Sequence, residues 1–178
     1  LFRMPGQLKE VRSRITSVNS TQQITKAMKM VSAAKLRRAQ DRITQMRPYS
    51  QKLSEMLGHI VTGEANIEIK LATERPVNKV LVVLMTSDRG LCGGFNSNLI
   101  KTTRQLVNAH YAEHAKNGTL EVMCIGKKGA DALKRVYKVN DKHLGLFTGL
   151  TFASAAQVAE EIMNAFEHGT YDKIDIVY

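Results

Sequence analysis

Tryptophan is absent, cysteine occurs twice and proline three times in 178 residues, and only 6% are aromatic. Each scarcity removes a class of reading. Cys92 and Cys124 are far apart with no CxxC spacing, which argues against a redox or thiol-metal motif. They are expected to be reduced thiols, packed as small apolar residues in an intracellular protein. Long apolar runs are also missing. No stretch reaches the roughly 18 residues of a membrane span, and Leu1–Gly6 has no apolar segment of a secretory signal. Acid is scarce in the first third: residues 1–60 hold 12 Lys/Arg against 3 Asp/Glu, a net of +9, while residues 61–178 hold 14 against 13. A basic segment of this kind suits nucleic acid, an anionic membrane surface or an acidic protein partner.

Between Gln7 and Met46 there is neither glycine nor proline. A helix is expected from near Pro5, which a first turn tolerates, to about Ile60, with a kink or break near Met46–Tyr49 at Pro48. With Leu8 as position a of a heptad, the a positions are Leu8, Ile15, Gln22, Lys29, Leu36, Ile43, Ser50 and Leu57. The d positions are Val11, Val18, Thr25, Ser32, Ala39, Met46, Leu53 and Ile60. One register serves both ends, the mark of a coiled-coil seam rather than a surface helix with a drifting 3.6-residue period. The middle is polar, and there Ile24, Met28 and Val31 form a stripe on another face, with Met30 beside them. Either the partner helix changes sides or a polar layer fixes register, or this turn faces a second partner through adaptable methionines.

Gly58, Gly63 and the polar run to Pro76 read as a connection, with a short strand expected at Ile67–Lys70. From there an α/β pattern is predicted. Lys79–Thr86, Leu120–Ile125 and Lys173–Tyr178 are apolar runs of strand length. Helices are expected from Asn96 or Ser97, either serving as cap, to about Lys116, and from Gly126 to about Tyr137. A third is expected to about His168, opened by a capping box at Ser154–Gln157. An edge strand is expected near Leu144–Phe147. Strands alternating with helices predict a mainly parallel sheet. The sequence closes inside its last strand, so a longer parent chain is expected. The organisation predicted is a shaft helix over 1–60, a linker over 61–76 and an α/β domain over 77–178.

The glycines at 90, 93 and 94 after a buried strand match neither GxGxxG nor GxxxxGK[ST]. A tight strand-to-helix turn is the simpler reading, with an anion at the helix N-terminus as the alternative. Cys92 has no histidine in a nucleophile context. His110 and His114 share an i, i+4 face but lack a third metal ligand. No acid–base pair, metal site or cofactor motif assembles, so no catalytic centre and no cofactor are expected. Lys26, Lys29, Lys35, Arg37, Arg38 and Arg42 could meet nucleic-acid phosphates, but no aromatics interleave with them and no nucleic-acid motif is present. Nucleic acid is therefore not expected as a partner.

Two blocks together carry a resemblance. Ile15–Val18 followed by Thr21–Lys35 (TQQITKAMKMVSAAK), and Ser87–Asn96 (SDRGLCGGFN), with Arg47-Pro48-Tyr49 between them, closely resemble the gamma subunit of the F-type rotary ATP synthase. The resemblance implies a long N-terminal coiled-coil helix plus a small Rossmann-like α/β domain with a mainly parallel sheet. It implies a non-catalytic central stalk, whose first helix pairs antiparallel with a C-terminal helix that this sequence does not contain. The implied partners are the alpha and beta subunits of the catalytic hexamer, the epsilon subunit and the c-subunit ring. The implied position is peripheral to a membrane, at the cytoplasmic face of a bacterial inner membrane or its mitochondrial or thylakoid counterpart. By matching positions, Ile24, Lys26, Met28, Lys29, Met30, Arg89 and Cys92 would face the beta subunits. Leu8, Val11, Ile15, Val18, Leu36, Ala39, Ile43 and Met46 would form the coiled-coil seam. A stand-alone α/β nucleotide-binding protein with a basic helical arm is the competing reading.

Overall fold

The computed structural model describes residues 5–62 and 70–178. The expected strand at Ile67–Lys70 lies, but for Lys70, outside the described residues; Lys70 opens a 3₁₀ turn, Lys70–Ala72. The chain divides into two compact units, Leu1–Asn66 and Ile67–Tyr178.

The first unit is helix α1, Pro5–Thr62, of 58 residues and roughly 87 Å at 1.5 Å per residue. It is helical without interruption through Pro48, so the break expected there does not occur. Pro48 withholds one N–H from the Thr44 carbonyl. On a helix exposed all round, water can serve that carbonyl instead.

The second unit is a four-stranded parallel sheet in the order β3-β2-β1-β4. The elements are β1 (Val80–Met85), α2 (Phe95–His110), α3 (Ala112–Lys116), β2 (Leu120–Ile125), α4 (Lys127–Leu133), β3 (Lys138–Asn140), α5 (Phe152–Glu167) and β4 (Lys173–Val177). Alternate residues of the central strands feed two cores. Val80, Val82 and Leu84 join Val107 and Leu133 on the side of α2 and α4. Leu81 and Val83 join Val158 on the side of α5. Burial on both faces is why β1 reads as an unbroken apolar run.

Four local expectations are corrected. The edge strand is β3, not Leu144–Phe147; Leu144 and Leu146 instead pack from a turn region, one against each core. α5 is capped by Thr151, whose hydroxyl accepts the Ser154 N–H at 3.2 Å while Ser154 Oγ accepts the Thr151 N–H at 3.0 Å. The box thus lies three residues before the expected one. α4 ends at Leu133. The long helix expected to Lys116 breaks at Tyr111, where φ is −129°.

The break at Tyr111 aims its hydroxyl at Asp175 on β4, to which it donates at 2.6 Å. Burial first, then this hydrogen bond and the carboxylate charge, push the phenol up to about 12. Tyr171 is pushed to about 12 by burial and by Glu121. Both folded values lie above the unfolded value of about 10. Their stabilisation is therefore complete below about pH 10 and lost as pH rises toward 12. Urea titrations followed by circular dichroism should show a level stability up to about pH 10 and a fall beyond it. Tyr111→Phe should flatten that fall, and an equally steep fall in the variant would show that this phenol does not carry it.

The segment before β1 is fastened to the α/β unit. Arg75 stacks over Phe166 at 4.1 Å, donates to the Phe166 carbonyl and pairs with Asp172 at 3.6 Å. Asp172 also accepts the N–H groups of Asn78 and Lys79 at 2.9 and 3.0 Å. These backbone bonds, then Arg75 and Lys79, hold its carboxyl below the usual range.

Candidate interaction surfaces

The sequence-expected residues fall on two surfaces in separate units. On α1, the positions Leu8, Val11, Ile15, Val18, Leu36, Ala39, Ile43 and Met46 are all exposed, the large ones at 54–61%. So are Ile24 and the flanking Lys26 and Lys29. Met28 and Met30 are exposed at 64% and 71%. Apolar side chains presented at this level along one helix have no internal core to join, and each forgoes about 1.5–3 kcal/mol of burial until a partner covers it.

Two threonines in the polar middle of α1 are satisfied from within. Thr25 donates to the Thr21 carbonyl at 2.8 Å, and Thr21 to that of Ser17 at 2.9 Å. Such back-bonding spares the hydroxyl the cost of burial without a partner. Thr25, at a heptad d position, can therefore be covered by an apolar surface.

The second surface is the loop 87–94 between β1 and α2, which carries Arg89 and Cys92 together. Both are exposed, so Cys92 is not packed as expected, whereas Cys124 is buried in the sheet. The expected caps are corrected as well. The N-cap is Gly94, with no side-chain bond, because Asn96 turns back to organise the loop. Its Oδ1 accepts the Ser87 N–H at 3.0 Å. Its amide donates to Ser87 Oγ at 2.9 Å, to the Arg89 carbonyl at 3.3 Å and to Cys92 Sγ at 3.2 Å. Asp88 accepts the Lys127 N–H at 3.1 Å, tying the loop to the start of α4. At the tip, Leu91 has φ +61° and projects fully into solvent. A leucine in the left-handed region is uncommon, and this bonding is what fixes it there.

Asn96 and Gly126 escaped the sequence reading. Asn96 looked like a cap because it stands at a helix start. Gly126 gave no motif signal, yet it lies against Thr86, whose Oγ accepts the Gly129 N–H at 2.8 Å. His110 and His114 do not act together: His114 Nδ1 is engaged by Thr119 Oγ at 3.0 Å.

Residues 7–178 match a family described as ATP synthase. The gamma chain of Cytophaga hutchinsonii is 49% identical over 177 residues, covering 98% of this chain and 60% of the relative. That of Flavobacterium johnsoniae is 48% identical over 174 residues, covering 97% and 59%. This chain thus spans about 60% of the length of the curated relatives it matches. Among solved structures, the rotor of Euglena gracilis mitochondrial ATP synthase aligns with a TM-score of 0.56 at 22% identity, over 98% of this chain and 58% of that one. That likeness is one of fold.

Proposed function

The chain belongs to the ATP synthase gamma family, and from that premise we propose that it serves as the non-catalytic rotor of a proton-transporting ATP synthase. It couples turning of a c-subunit ring to ATP synthesis or hydrolysis at the beta subunits. Its partners in this reading are the alpha and beta subunits of the catalytic hexamer, the epsilon subunit and the c ring. It sits peripherally at a membrane face, the cytoplasmic one in a bacterium. None of the described helices is long and apolar enough to cross a membrane. The observation that carries the reading is the family match over residues 7–178, which includes both sequence blocks.

The physics of the two surfaces supports it. A shaft that turns inside a stator must be stiff, and a 58-residue helix with a seam for a second helix supplies stiffness. It must also avoid settling at one angle. Apolar contact at ~25 cal/mol per Å² accumulates into a trap, whereas exposed ion pairs at roughly 0–1 kcal/mol each attract with little directional lock. The net +9 of residues 1–60 fits such guidance. In this reading Ile24, Lys26, Met28, Lys29 and Met30 face the stator, Arg89 and Cys92 approach the beta subunits, and Met28 is the tight steric point.

Co-purification with an alpha/beta hexamer tests the assignment. The chain should be retained by the hexamer and should bind no nucleotide by itself; nucleotide binding without hexamer retention would favour the α/β nucleotide-binding alternative. Met28→Lys tests the shaft contact. In vesicles reconstituted with the whole enzyme, ATP hydrolysis should persist while ATP-driven proton pumping falls several-fold. Pumping at the wild-type ratio would remove Met28 from the contact.

A further inference from the structure

Two rows of residues flank the apolar stripe of α1. In the register that sets Leu8 at a, the charged residues of those e and g rows are Arg12, Lys26 and Arg47 at e, and Arg14, Lys35 and Arg42 at g. Every one is basic and exposed. The acidic residues of the helix, Glu10, Asp41 and Glu55, stand at c and f, on its outer side. The ion pair found among the described residues of α1, Lys52–Glu55 at 2.9 Å, also lies outside both rows. Within the seam itself stands Lys29, at a.

In a coiled coil the e and g rows of one helix meet those of the other and choose the partner and its orientation. From this arrangement we infer that the α1 seam takes a helix bearing acidic residues at its own e and g positions and rejects a second copy of this chain. A parallel second copy in register would set Lys29 against Lys29 inside the apolar stripe and Arg42 against Arg47 beside it. No orientation or shift brings an acid into either row, because neither row contains one. Thr25 needs nothing from the partner, since its hydroxyl is engaged by Thr21. Like charges build rejection and opposite charges build choice in the same surface.

The inference rests on the rotor reading only in requiring that α1 pair with a helix. Two labelled synthetic peptides probe it, with identical apolar a and d positions and either Glu or Lys at every e and g position. Titrated with the whole 178-residue chain and read by fluorescence anisotropy, the Glu peptide should bind about tenfold tighter or better at low salt. The gap should narrow as ionic strength rises. The chain alone should sediment as a monomer. Reversing Arg12, Arg14, Lys26, Lys35, Arg42 and Arg47 to Glu should invert the preference while thermal unfolding of the α/β unit stays unchanged. Equal affinity for both peptides would overturn the charge selection and leave the shaft standing. Binding of neither would overturn both. A dimer of the chain that Ile15→Asp disperses would overturn the rejection of self.

Discussion

Gly126→Ala should cost the α/β unit about 2–5 kcal/mol, from a left-handed penalty of about 1–2 kcal/mol and a clash typical of overpacking at about 1–3 kcal/mol. Gly126 has φ +106°, and a Cβ built there would stand 2.0 Å from the Thr86 carbonyl oxygen and 2.7 Å from its carbon. Those are backbone atoms at the end of the central strand. They cannot step aside cheaply, because the Thr86 N–H is bonded to the Ile125 carbonyl at 2.8 Å and its hydroxyl accepts the Gly129 N–H at 2.8 Å. Moving Thr86 would break the last bond from β1 to β2 and its bond to α4. Domains of this size hold only about 5–15 kcal/mol in total. The variant should therefore show a urea midpoint reduced by roughly a third, and a loss under about 1 kcal/mol would mean that the strand ends can separate without cost.

The second large effect concerns association and leaves folding alone. Val11, Ile15 and Val18 are exposed on α1, and the α/β unit is compact without them. Changing all three to Asp should leave the thermal transition of that unit in place. It should abolish binding of the helical peptide that carries Glu at e and g, with affinity reduced more than about 100-fold, since each apolar side chain buried at a seam contributes about 1.5–3 kcal/mol. Undiminished binding would show that the peptide is held by the charged rows rather than by the stripe. Loss of the thermal transition would show that the two units are energetically one.

What the sequence revealed of this protein follows from how far apart the determining atoms lie along the chain. The strands β1 and β2 were legible because burial on both faces forces a continuous apolar run. Helix α1 was legible because a long stretch without glycine or proline repeats its apolar spacing. β3 was not legible: three residues, Lys138–Asn140, at a sheet edge carry no period, while the more apolar Leu144 and Leu146 drew the assignment and turned out to fill the two cores from a turn. Asn96 was misread because a helix cap and a loop organiser use the same amide. The difference is whether its oxygen meets an N–H two or three residues ahead or, as here, one nine residues behind. Pro48 was given the power to break a helix that an exposed site does not concede. Arg75 offered no motif at all, since its partners Phe166 and Asp172 are more than 90 residues away in sequence.

That last cluster has a mechanical meaning. Tension drawn through the backbone just ahead of Val80 would meet the Arg75 stack, its ion pair and the two Asn78 and Lys79 bonds to Asp172 before reaching the first rung of β1. All of these contacts end on Phe166 and Asp172, so they hand such a tension to the end of α5 and the residue ahead of β4. They work like the collar that clamps a cable ahead of its plug: jolts are absorbed at the α5 and β4 anchor, and the ladder between β1 and its neighbours stays unstressed.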